Sequence, residues 1–181
     1  MLSQNTSSRS NWLPWILSIV GFWLSGNLVI DFLVMPVMQV SGMTTQADFA
    51  SAGYAMFWSF NRIELLCAAM ILTGVFALRR RRGEFDVCQS GSRCRWALML
   101  GLALLCLTLV DTYVLAPQMS AMAISLNAFN EGAIAPSLNG LHGAYFLLEI
   151  LKLTSLALLA QLCFLDLRNR DSISASSDLL A

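Results

Sequence analysis

Charge is scarce in this chain. Only 12% of its 181 residues are Asp, Glu, Lys or Arg, about half the share of a soluble domain. Eleven basic residues balance eleven acidic ones, which excludes a polybasic nucleic-acid binder. Histidine occurs once, at His142, so a pair of histidines for haem within one chain is impossible. No phosphate-binding glycine loop, dinucleotide-binding glycine pattern, zinc-ligand spacing or haem-attachment motif is present, and no cofactor is expected. What the chain has instead is apolar mass. Hydrophobic residues make up 57% and mean hydropathy is +0.65, gathered in long runs instead of short alternating ones.

A helix that crosses a bilayer needs about 20 mostly apolar residues. Four segments qualify, at about 12–38, 57–78, 96–117 and 141–165. The first follows Arg9, as a secretory signal would. It is too long for a signal core and carries Asn27 and Asp31 with no small-residue cleavage pattern, so it reads as a retained span. The expected fold is all-α: a polytopic four-transmembrane-helix bundle over 12–167, between an N-terminal tail (1–11) and a disordered C-terminal tail (168–181) rich in Ser and Asp.

Charge sorts the connections. Arg79, Arg80, Arg81 and Arg82, with Arg93 and Arg95, stand between spans two and three, while 41–56 and 118–140 hold no Lys or Arg. The positive-inside rule places the arginine loop in the cytoplasm. Four spans then put both termini there, in the inner membrane if the host is a bacterium. Trp12, Trp15 and Trp96 fit an inner aromatic belt, and Tyr54, Trp58 and Tyr113 an outer one. The lipid bilayer is the expected partner, with a homo-oligomer or a membrane-protein partner beside it and no nucleic acid. Cys88 and Cys94 share the cytoplasmic loop, so no stable disulfide is expected.

Span one ends with Asp31 and Pro36, span three with Asp111 and Pro117, the proline about one and a half turns after the aspartate in each and a candidate kink or packing residue. Span two opens with Phe60 and Glu64, span four with Phe146 and Glu149. These near-equal offsets point to a duplicated helical hairpin, the kind of parallel repeat found in transporters.

Charged groups in hydrocarbon are costly, and they are usually paired or functional. At 1.5 Å per residue, Asp31, Glu64, Asp111 and Glu149 all fall about 21–24 Å from the arginine-loop end of their spans, with Arg62, His142 and Lys152 near that level. Asn27, Asp31 and Met35 make one helical stripe. Asn61 and Glu64 make another, and Asn139, His142, Glu149 and Lys152 a third. Arg62, two residues from Glu64, needs a partner from another helix or from the interface. In a structural reading Lys152 and Arg62 pair with carboxylates and the amides cross-link helices. In a functional reading the acids and His142 bind a cation or relay protons, because four acids against two permanent cations leave negative charge to be neutralised. The methionines at 35, 38, 43, 119 and 122 could favour a soft metal, or simply fill gaps.

The run Gly26-Asn-Leu-Val-Ile-Asp31-Phe-Leu-Val-Met-Pro36, with Tyr113-Val-Leu-Ala-Pro117-Gln-Met and Leu141-His142-Gly143-Ala-Tyr145 before Glu149, resembles the small four-span family related to transmembrane protein 205 (domain of unknown function 4149). The similarity covers most of 12–165. Gln118 departs from the basic residue expected after the proline. The resemblance implies a four-span integral membrane protein without an established activity, for which small-solute, metal or proton handling is the leading expectation. A non-catalytic subunit or assembly factor is the alternative. An enzyme using His142 and Glu149 as an acid–base pair ranks last, for want of a second histidine or a nucleophile motif.

Overall fold

The computed structural model describes residues 12–43, 49–85, 92–121 and 136–178, and these form four long helical spans. Span one runs as an α-helix over Trp12–Val29, a π-turn over Ile30–Val34 and a short α-helix over Met35–Val40. Span two is one helix, Phe49–Phe85. Span three is an α-helix over Ser92–Val110, a π-turn over Asp111–Leu115 and a closing helical stretch 116–121. Span four is a single helix, Pro136–Asp178. All four are long and apolar enough to cross a membrane, over Trp12–Val40, Ser51–Leu78, Arg95–Ala121 and Gly140–Arg168.

Helix boundaries follow breakers more than hydropathy. Gly42 ends span one with φ of 74°, the left-handed conformation that glycine adopts freely, and the Ser41 N–H donates to Val37 O. Pro136 opens span four, where its missing N–H costs nothing. No proline interrupts the chain beyond Arg168, and the last helix continues to Asp178. The described part of the tail expected to be disordered, 168–178, is thus helical: Ser and Asp lower helix propensity only modestly when no residue forces a stop. The 43-residue helix is about 65 Å long and extends well beyond a hydrocarbon core of about 30 Å. The 1–11 tail lies outside the described residues, as do the backbone around Cys88 and the side chains of Arg79–Arg82, Arg93 and Cys94.

Both π-turns sit against a proline. Met35 donates to Ile30 O and is followed by Pro36; Ala116 donates to Asp111 O and is followed by Pro117. A proline ring clashes with the carbonyl four residues back and offers it no N–H. Widening the preceding turn to the π form relieves that clash. The prolines stand in the same register, but Asp31 lies five residues before its proline and Asp111 six. One residue is about 100° of helix rotation, so the two aspartates leave their helices in different directions.

Each span packs on its chain neighbours, and span one packs on span four, closing a square. In lipid, apolar burial gives little drive for helix association, and close backbone approach takes its place. A Cβ at Gly74 would lie 2.7 Å from Ile16 Cγ1, and one at Gly101 2.9 Å from Leu72 Cδ2. Around these contacts the interior is dry and apolar, built from Ile16, Val20, Ile71, Leu104, Leu156 and Leu159. Toward the end of the bundle that carries the connections 44–48 and 122–135, here the loop end, the interior turns polar. The described outer surface is rich in large apolar side chains, with Phe22, Phe32, Leu66, Phe146 and Phe164 each more than half exposed. Polar inside and apolar outside is the arrangement of an integral membrane protein. All six aromatic residues assigned to the two belts are exposed.

Candidate functional site

The inward faces continue from the dry core into the polar layer without a break in helical spacing. Ile16, Val20, Trp23 and Asn27 line span one, and Asn61, Glu64, Ala68, Ile71 and Val75 line span two. Leu104, Thr108 and Asp111 line span three, and Glu149, Lys152, Leu156, Leu159 and Cys163 line span four. Every step is three or four residues, the period of one helix face. The sequence thus places its few intramembrane charges on the stripes that packing already turns inward.

Lys152, the only lysine in the chain, is completely buried. Its Nζ lies 2.9 Å from Glu64 Oε2, 3.0 Å from Asp111 Oδ2 and 2.6 Å from Glu149 Oε1. Glu64 stands across the bundle axis on span two, Asp111 on span three and Glu149 one turn back on span four itself. Span one closes the group. Trp23 Nε1 donates to Glu64 Oε1 at 2.8 Å, and Asn27 Nδ2 donates to Glu149 Oε2 at 3.4 Å. All four helices therefore meet in one network centred on one amine. The contact with Asp111 is an ion pair through Oδ2, and Asp111 Oδ1 is buried without a hydrogen-bonded protein partner.

The layer leaves both acceptors and an amide donor open. Asn27 Oδ1, Asp31 Oδ2 and Asn61 Nδ2 are also buried without a hydrogen-bonded protein partner. Thr108 and Thr112 satisfy their hydroxyls locally, donating to Leu104 O and Thr108 O one turn back. Tyr145, half-buried on span four, hydrogen-bonds with Glu149 and meets the Phe57 ring edge-on at 5.5 Å.

No family model, curated protein or solved structure matches this chain. Its site is read from its own geometry.

That geometry joins Glu64, Asp111, Glu149 and Lys152, with Asn27 in direct contact and Asn61 buried one turn from Glu64. Asp31 is half-buried at the edge, within Coulombic range of Lys152, Glu64 and Asp111. Two expected members are elsewhere. Arg62 is exposed, and its guanidinium stacks 3.7 Å above the Trp58 ring one turn back. A cation–π contact on its own helix replaces the carboxylate of another span. His142 is exposed as well. The stripe from His142 to Lys152 spans ten residues, which drift about 80° around the helix, so the two ends cannot both face the axis. The side chain of Asn139 and all of Met122 lie outside the described residues. Trp23 and Tyr145 were not legible as site residues: an indole or phenol in an apolar run has the spacing of ordinary packing, and only the carboxylate opposite reveals the donor.

Proposed function

We propose that this chain binds and releases protons at the carboxylate cluster around Lys152. The observation that carries this reading is the charge inventory. Three buried carboxylates share one ammonium, and Arg62, the second cation expected at this level, points away. Fully ionised, the three acids would leave two uncompensated negative charges, and Asp31 would add a third. Oxygens of Glu64 and Asp111 that both lie within 3.0 Å of Nζ are at most about 6 Å apart. At an effective dielectric of about 20, each such like-charged pair costs roughly 3 kcal/mol. Bound protons remove that cost.

A metal ion is a weaker candidate. The point between the three carboxylates is held by the Lys152 ammonium, a tethered cation. Among the described residues no group of three His, Cys, Asp or Glu side chains could hold a metal. Access favours one side. Toward the terminal end the cluster rests on the dry core, while toward the loop end it meets half-buried Asp31 and Tyr145. The arginine run supports cytoplasmic termini, so that protons would enter from the outer face. The shared proline register of the two π-turns supports a duplicated hairpin, and the resemblance to the transmembrane protein 205 family accords with four spans.

The test is a proton count by acid–base titration of the full chain in detergent, against a Glu64→Gln, Glu149→Gln double variant. The native protein is expected to exchange at least one proton per chain more than the double variant while both remain folded. Equal counts would overturn the reading.

A further inference from the structure

Asp111 and Asp31 are the two aspartates that precede the π-turn prolines, yet they are placed very differently. Asp111 faces the axis, fully buried and 3.0 Å from the Lys152 ammonium. Asp31, offset by one residue in register, is turned to the edge of the bundle and only half-buried. Its Oδ2 is buried and has no hydrogen-bonded protein partner. Asn27, one turn deeper on the same span, donates to Glu149, and its own Oδ1 is buried and unpartnered. Opposite, on antiparallel span four, Tyr145 stands one turn nearer the loop end than Glu149 and hydrogen-bonds with it. Asp31 and Tyr145 are therefore level with each other, about 6 Å nearer the loop end than the Asn27–Glu149 contact.

Among the described residues, the ionisable groups coupled electrostatically to Asp31 include those of the cluster. Span four presents Lys152, Glu149 and Tyr145, span two Glu64, and span three Asp111. Below this level the axis is filled by Val20, Ile71, Leu104, Leu156 and Leu159, and the next described carboxylate, half-buried Asp166, lies about 21 Å further along span four than Lys152.

We infer that Asp31 is the entry residue of the cluster, the group through which protons pass between the loop-end interface and the buried acids. The inference rests on the proton-binding reading and adds a route to it. The Asp31 carboxylate takes a proton from water at the interface. It gives that proton inward to Glu149, which becomes a neutral carboxylic acid as Asp31 returns to its ionised form. Release is the reverse. Asp31 is thus a kinetic residue, whereas Glu64, Asp111 and Glu149 set how many protons are held.

The experiment is infrared spectroscopy of the full chain in lipid nanodiscs, following the carboxylic-acid carbonyl band after transfer to deuterated buffer. Asp31→Asn is expected to slow exchange of the band about a hundred- to ten-thousandfold, the range of a lost proton-transfer group. The equilibrium amplitude from the cluster should persist, and Asp31→Glu should restore the rate. If Asp31→Asn fails to fold, Asp31→Ser reads the same rate. An unchanged rate, or an amplitude that falls in step with the rate, overturns the entry role and leaves the proton-binding reading standing. Absence of any buried carboxylic-acid band in the native chain overturns both.

Discussion

Replacing Lys152 with Met keeps most of the stem volume, so packing changes little, but it removes the one cation from the group. Three contacts of 2.9, 3.0 and 2.6 Å are lost together. Breaking a buried ion pair by deleting one partner typically costs about 3–5 kcal/mol, because the remaining charge is left in a poor solvent. The carboxylates can escape part of that cost by binding one more proton in place of the ammonium. The folded variant then holds more protons than its unfolded chain, whose carboxylates are solvated and ionised. Unfolding releases that proton, so stability must fall as pH rises, by about 1.4 kcal/mol per pH unit for each extra proton. Glu64→Gln is the control. Lys152 keeps Asp111 and Glu149, the Gln carbonyl can still accept from Trp23 Nε1, and the cost should be near the roughly 1.5–3 kcal/mol of one charged hydrogen bond. The assay is a thermal melt in one detergent across a pH series. Lys152→Met should be close to native in acid and progressively worse toward neutral pH. A deficit independent of pH, or one no larger than that of Glu64→Gln at neutral pH, would refute the electrostatic account.

Two further outcomes follow from burial and close packing. Because Lys152 is the only lysine and is fully buried, an amine-reactive reagent should spare Lys152 in the folded chain and label it once the protein is unfolded. Peptide mapping that finds equal labelling in both states would contradict the buried network. Gly74→Val should destabilise by about 1–3 kcal/mol through overpacking against Ile16. Gly21→Ala, where a Cβ meets nothing within 4 Å, should be neutral or better in the same melt, and the reverse order would contradict the helix contact.

The spans were legible because hydropathy over about 20 residues is a strong signal, and the depth of the acids followed from rise per residue alone. The pairing of Glu149 with Lys152 was also legible, as an i+3 contact on one helix. What the sequence hid was rotation. Helical spacing says which residues share a stripe but not which stripe faces the axis. Arg62 and His142 sit at the expected depth and face outward, while Trp23, unremarkable in an apolar run, faces a carboxylate. The reach of Lys152 across the bundle to Glu64 depends on how four helices are arranged, which no single stripe encodes. The prolines announced a local irregularity. Its form, a π-turn that places Asp111 inward and Asp31 at the edge, depends on a one-residue difference whose consequence needs three dimensions.

The central claim is that the group around Lys152 holds protons where an unperturbed carboxylate would be ionised. Infrared spectra of the native chain at neutral pH, compared with Asp111→Asn and Glu149→Gln variants, address it most directly. The account predicts a buried carboxylic-acid carbonyl band in the native spectrum that weakens in at least one of the two variants. A native spectrum with carboxylate bands alone would contradict it.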